Sequence, residues 1–249
     1  MKKHIPNALT LLNLFCGSIA VIFAVNDQFV YAVFFVFLGI FFDFFDGFAA
    51  RKLKVSSELG LQLDSLADMV TSGLVPGIVM YKLLELALPA WGDLETVAQE
   101  SLEVSDLEFN MIFPFFGLLI TLGSAYRLAK FNIDDEQQSF FKGLPTPANA
   151  ILILGLPLIL EFQNSGFMQS IILNTWFLVG MTLLSCYILN ANIKLFALKF
   201  KDFRFKGNAI RYIFLIMSVV FVVVLKFIAI PVIILFYILL SVIDNSTSK

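Results

Sequence analysis

The feature that most constrains this chain is a succession of apolar runs, each long enough to cross a lipid bilayer. A helix needs roughly 20 predominantly apolar residues to span the hydrocarbon core. Stretches near 7–25, 29–50, 60–82, 110–130, 147–163, 168–190, 209–226 and 228–243 meet that length. Only helices and closed barrels satisfy their backbone hydrogen bonds in lipid. Runs this long and unbroken select helices. The expected fold is all-α, a polytopic membrane helix bundle of about eight transmembrane helices. No Ser/Gly/Pro-rich linker divides residues 1–249, so one membrane domain is expected. Lys226 and Phe227 alone separate the last two runs, and Pro231 would fit the first turn of the final helix.

Charge placement gives the orientation. Charged residues make up 14% of the chain against roughly 25% in soluble domains. With a cytoplasmic N-terminus, all 17 lysines and arginines except Lys82 and Lys226 fall on the cytoplasmic side, and the C-terminus returns there too. The acidic segment 85–108 then reads as an external loop. A net charge of -2 gives no sign of a nucleic-acid partner. His4 is the single histidine, which excludes a histidine-based metal site or triad. Cys16 and Cys186 lie in apolar runs and read as packing residues.

Against this background four carboxylates stand out. Asp43 and Asp46 interrupt a run of phenylalanines at the end of the second stretch, and Asp64 and Asp68 open the third. A charge deep in a membrane helix costs ~2.5–3.5 kcal/mol on insertion scales. The spacings i, i+3 and i, i+4 put each pair on one helix face. A short cytoplasmic turn can bring the two faces together. Four such carboxylates repel, and two divalent cations would offset them; an all-oxygen donor set suits Mg²⁺ or Mn²⁺. Gly47, Ala50 and Gly60 leave a groove without bulk beside them, and Arg51 offers a cationic fork for a phosphate. Two other readings stay open at this point: interfacial salt bridges with Arg51, Lys52 and Lys54, or an ion path through a channel or transporter. No second acidic cluster appears in 110–243, as a transporter with paired halves would show.

The pattern Asp43-x2-Asp46-Gly47-x2-Ala50-Arg51-x8-Gly60-x3-Asp64-x3-Asp68 resembles the signature of the CDP-alcohol phosphatidyltransferases. Three further segments resemble one branch of that family, the integral-membrane phosphatidylserine synthases. They are Ile5 to Gly17, Leu63 to Pro76, and Tyr126 to Asn132 continued by Phe141 to Ala148. The resemblance covers most of residues 5–150, the expected catalytic part, and fades over 151–249, which read as additional transmembrane helices. Lys130 stands where arginine is expected, and Thr71 where serine is more usual.

The resemblance implies an enzyme that moves the phosphatidyl group of CDP-diacylglycerol to L-serine. A sister reaction with glycerol 3-phosphate, an inositol phosphate or choline is the alternative. It implies two divalent ions, Mg²⁺ or Mn²⁺, with Asp43 and Asp64 shared, Asp46 on the first ion and Asp68 on the second. Asp68 is also the expected catalytic base. Asn7, Thr10, Gly47, Ala50, Arg51, Ser57 and Gly60 are the expected donor-binding residues, with Asn7 equally readable as a helix N-cap. Arg127 and Lys130 are the expected acceptor-binding residues, although Arg127 could equally snorkel to the interface, and Lys142 reads as solvated. The expected setting is the inner membrane of a bacterial cell, with the active site at the cytoplasmic face. The resemblance leaves room for a homodimer.

Overall fold

The computed structural model describes residues 4–55, 57–88, 112–133, 141–163, 165–196 and 205–247, and these are almost entirely helical. Helix α1 spans His4–Val25 and α2 spans Phe29–Leu53. Helix α3 runs as one body over Glu58–Ala87, with a π-helical turn at Met69–Leu74. A 3-10 turn at Phe113–Leu118 leads into α4, Leu119–Ile133. Then follow strand β1 (Phe141–Lys142), α5 (Thr146–Phe162), α6 (Gly166–Ile172), α7 (Thr175–Asn190), β2 (Lys194–Leu195), α8 (Phe205–Leu225) and α9 (Ala229–Thr247).

Among the described residues, four helical stretches are long and apolar enough to cross a membrane, or five if the bent pair α6–α7 is one span. Apolar side chains such as Phe15, Phe34, Leu122 and Val223 face outward. That exterior fits lipid and marks an integral membrane protein. The predicted stretch 168–190 is not one helix. It bends by 57° at a break over Leu173 and Asn174, where the Asn174 side chain caps a new helix by accepting from Phe177 N at 3.1 Å. The predicted stretch 60–82 extends to Glu58 and Ala87. Its π turn has a visible cause: Pro76 offers no N–H and its ring crowds the carbonyl four residues back, so the preceding turn widens. The acidic segment 85–108 lies, beyond Leu88, outside the described residues.

The stretch Asn208–Asp244 reverses direction within itself. Phe214 stacks on Phe236 at 6.3 Å, and Phe221 meets the same ring edge-on at 5.5 Å. Residues so far apart in sequence touch only if α8 and α9 form a hairpin, and Lys226 makes the turn with φ 53°. The boundary predicted at Lys226–Phe227 is therefore a real corner.

Small residues set how closely the first three helices approach. Without a hydrophobic force between helices in lipid, close backbone packing does much of the work. A Cβ on Gly17 would lie 2.2 Å from Thr71 Oγ1, and one on Gly39 would lie 2.8 Å from both Asn13 Oδ1 and Thr71 Cγ2. Thr71, in the π turn, is thus wedged between α1 and α2, and its hydroxyl donates to the Asn13 carbonyl at 3.2 Å. Below this wedge lies a dry core of Ala20, Ala24, Val36, Val79, Leu83 and Ile153. Lys82 closes the opposite end by pairing with Asp27 at 3.2 Å and with Glu85.

Candidate active site

The short turn between α2 and α3 builds the site. Helix α2 ends with Lys54 in the left-handed conformation, its N–H on the carbonyls of Ala50 and Arg51. Ser57 then caps α3, its hydroxyl accepting from Gly60 N at 3.1 Å. This turn lays the first turns of α3 against the last turns of α2. The paired faces read from the aspartate spacings do meet.

Asp43, Asp46 and Asp64 each direct a carboxylate oxygen into one space, where the three oxygens lie within 4.8 Å of one another. Asp68 stands outside that triad but within electrostatic reach of Asp43, Asp46 and Asp64. Among the described residues no ion pair neutralises these groups. Lys52 lies over the Phe48 ring at 5.6 Å, and the Arg51 guanidinium folds back toward Gly47. The salt-bridge reading of the aspartates therefore fails. Arg51 and Arg127 act on Asp46 and Asp68 only at a distance, and the donor set, oxygen only, fits a hard divalent cation such as Mg²⁺ or Mn²⁺.

A cleft of about 170 Å³ opens beside the triad. Asn7, Thr10, Gly47, Ala50, Ser57 and Gly60 line it, together with Asp46 and Asp64. These include every expected donor-binding residue except Arg51, which sits exposed at the rim over Gly47. The glycines matter sterically here. A Cβ on Gly60 would stand 3.3 Å from Asn7 Oδ1 and 3.2 Å from Ser57 Oγ, closing the floor of the cleft. Asn7 is not an N-cap, because α1 already runs from His4. Thr10 does something the sequence did not indicate: its buried hydroxyl lies 2.5 Å from Asp46 Oδ2, where it orients that carboxylate.

Two polar residues near the clefts, the buried Asn13 and the half-buried Asn190, were missed. Asn13 is 0% exposed and donates its amide to Asp68 Oδ1 at 3.3 Å, holding Asp68 toward the triad. Its signal was available, since Pro6, Thr10, Asn13 and Gly17 form an i, i+3/i+4 stripe on α1. Asn190, at the end of α7, is the second. Its amide nitrogen donates to the carbonyls of Gly123 and Cys186 at 3.1 and 3.2 Å. Two acceptors fix the amide orientation and leave Oδ1 without a partner.

Arg127 is 7% exposed, with Nε unpartnered, and it feels the charge of Asp68. It points into the protein, which overturns the snorkelling alternative. Arg127, Lys130, Lys142, Asn190 and Asn192 line a second, small cleft. Lys142 is half-exposed there. It is brought in by pairing of β1 with β2, Lys142 opposite Lys194. Gly143 makes this possible with φ 75°, since a Cβ there would lie 2.5 Å from the Leu189 carbonyl oxygen. Ser65 and Asn132 join α3 to the end of α4 by hydrogen bonds of 2.9 and 3.1 Å. Cys16 and Cys186 are free thiols packed in the bundle.

The sequence model of the CDP-alcohol phosphatidyltransferase family matches residues 3–243. Among curated relatives, the chain is 35% identical over 169 residues to the CDP-diacylglycerol–serine O-phosphatidyltransferase of Bacillus subtilis, a match covering 66% of this chain and 84% of that protein. It is 30% identical over 151 residues to the Helicobacter pylori protein of the same name, covering 60% and 55%. The Mycobacterium leprae protein of that name is 32% identical over 183 residues, covering 70% and 52%. The chain thus spans about half the length of the latter two.

Proposed function

The chain belongs to the CDP-alcohol phosphatidyltransferase family, and from that premise we propose that it transfers the phosphatidyl group of CDP-diacylglycerol to the hydroxyl of L-serine, releasing CMP. The observation that carries the reading is a cleft that bears Asp46 and Asp64, together with a second pocket whose Arg127 lies within electrostatic reach of Asp68. One is lined by the signature residues and suits a nucleotide; the other is cationic and suits a small acid. Its relatives' names favour serine among the acceptors.

On this reading Asp43, Asp46, Asp64 and Asp68 would hold two divalent cations, with Asp43 and Asp64 serving both. When bound, such ions neutralise the pyrophosphate and stabilise the departing CMP. The small residues Gly47, Ala50 and Gly60 admit the nucleotide, and Asn7, Ser57 and Arg51 offer polar contacts at its walls. Asp68, steadied by Asn13, takes the proton of the serine hydroxyl. The serine oxygen then bonds to the phosphatidyl phosphorus as the bridging phosphorus–oxygen bond to CMP breaks. Arg127 takes the serine carboxylate, for which a guanidinium supplies two parallel hydrogen bonds. The unpartnered Oδ1 of Asn190 suits the ammonium group. The diacyl tails stay in the bilayer throughout. We read the chain as crossing it about eight times, with its termini and site at the cytoplasmic face.

One observation favours the sister reaction. Three cations, Arg127, Lys130 and Lys142, share the acceptor cleft, and a phosphorylated alcohol would use them. An acceptor panel decides between the two. Purified protein with CDP-diacylglycerol and Mg²⁺ or Mn²⁺ is expected to release CMP with serine, and to stop when the ions are chelated. Faster release with glycerol 3-phosphate or an inositol phosphate would overturn the serine reading. Undiminished turnover in excess chelator would overturn the metal reading.

A further inference from the structure

The C-terminal hairpin α8–α9 lies far from the aspartate signature in sequence, yet it reaches the acceptor cleft through a short relay. Tyr237, in the middle of α9, donates its hydroxyl to the Phe196 carbonyl at 2.8 Å. Phe196 immediately follows β2. Its ring meets Tyr237 edge-on at 4.9 Å and Phe214 of α8 at 6.0 Å, and Phe214 and Tyr237 lie 5.5 Å apart. Three rings from three elements thus form one cluster at the end of the strand. Leu195 and Phe196 are 2% and 8% exposed, so the strand end is held inside protein.

From there the coupling passes through backbone. Strand β2 pairs with β1, placing Leu195 opposite Phe141 and Lys194 opposite Lys142. Gly143 N donates to the Ile193 carbonyl and Leu144 N to the Ile188 carbonyl, both at 2.9 Å. A ribbon of two residues per strand has little stability of its own. What grips its ends therefore contributes to its position. One end is gripped by the left-handed Gly143 lying against the last carbonyls of α7, and the other by Tyr237. The ribbon carries Lys142 into the cleft that Arg127, Lys130 and Asn190 line.

We propose that Tyr237 is a positioning residue for the acceptor: its hydroxyl latches the β1–β2 ribbon to the C-terminal hairpin and so sets the wall of the acceptor cleft that carries Lys142. This rests on the reading of that cleft as the acceptor site. The hairpin thereby gains a role in substrate recognition without touching substrate. Among the described residues Tyr237 is not part of the triad or of the donor-cleft lining, so its effect is expected on one substrate.

The test uses Tyr237→Phe in the full chain, which keeps the ring cluster and removes only the hydroxyl. Loss of one neutral hydrogen bond is expected to raise the KM for serine roughly three- to tenfold. The KM for CDP-diacylglycerol should stay as in the parent, and the thermal midpoint in detergent should fall by no more than about a few degrees. Hydrogen–deuterium exchange at the amides of Gly143 and Leu144 should accelerate, a readout independent of turnover. Unchanged exchange would overturn the latch, as would an equal rise in both KM values. Accelerated exchange with an unchanged serine KM would overturn the link from latch to acceptor. In that case Arg127→Lys tells the two readings apart. If it raises the serine KM, the cleft is the acceptor site and only the latch fails; if it does not, the cleft reading itself fails.

Discussion

Asn13 shows what a single buried amide does for a carboxylate that must work near others. Asp68 is the only member of the cluster outside the close triad, and the Asn13 amide is what holds it near. A hydrogen bond to a charged group contributes roughly 1.5–3 kcal/mol. Asn13→Ala is therefore expected to lower kcat by about one to two powers of ten, with little change in the KM for CDP-diacylglycerol. A parent-like kcat would show that Asp68 needs no such support. At Arg127 the expected outcome differs in kind. Arg127→Lys keeps the charge and loses the fork, so the serine KM should rise by about ten- to a hundredfold while the donor KM holds. Serinol, lacking the carboxylate, should be a poor acceptor for the parent and no poorer for the variant. The aspartate faces and the small-residue groove beside them could be read from sequence because spacing alone sets a helix face. The Thr10–Asp46 contact and the half-exposed Lys142 at the cleft could not, because each depends on how neighbouring elements meet; Asn13 was legible only as one member of a polar and small-residue stripe on α1. Lys142 in particular arrives by a strand pairing between segments some fifty residues apart, which no local pattern encodes.

At the scale of elements, apolar length located the helices and missed their interruptions. The break at Leu173–Asn174 carried a signal, an asparagine at a capping position, but an apolar run masks one polar residue. The π turn carried Pro76. The hairpin corner at Lys226 was visible because a charge between two apolar runs has few places to go. Close approach between elements yields a sharper expectation. A Cβ on Gly117 would lie 2.5 Å from the Tyr81 backbone nitrogen and 2.8 Å from the Met80 carbonyl carbon. Backbone cannot step aside as a side chain can, and such overpacking costs typically 1–3 kcal/mol. Gly117→Ala should lower the thermal midpoint in detergent by several degrees. Gly166→Ala, where nothing lies within 4 Å, should leave it level or raise it slightly. Equal midpoints for both variants would mean that the 3-10 turn shifts freely against α3.

For the whole molecule, the two ends of the bundle differ in character. One gathers the aspartates, Arg51, Arg127 and Lys142; the other carries the Lys82 pairs with Asp27 and Glu85. The basic side is expected to be cytoplasmic. A reporter inserted within 93–106 should read as external and one within 199–206 as cytoplasmic; the reverse would put the site away from soluble serine. The π turn in α3 has a consequence that concerns chain length. Such a turn houses one surplus residue while the helix faces on either side keep their directions. Deleting Val70 should let the segment close to ordinary α-helix, with Asp64 still facing α2 and Val79 and Leu83 still in the core. Deleting Val79 instead would turn everything beyond it by about 100° and expose that core face. Size-exclusion chromatography in detergent should find the first variant folded and the second aggregated. Along a helix otherwise locked at both ends, Met69–Leu74 is where the gene has room to gain or lose a codon.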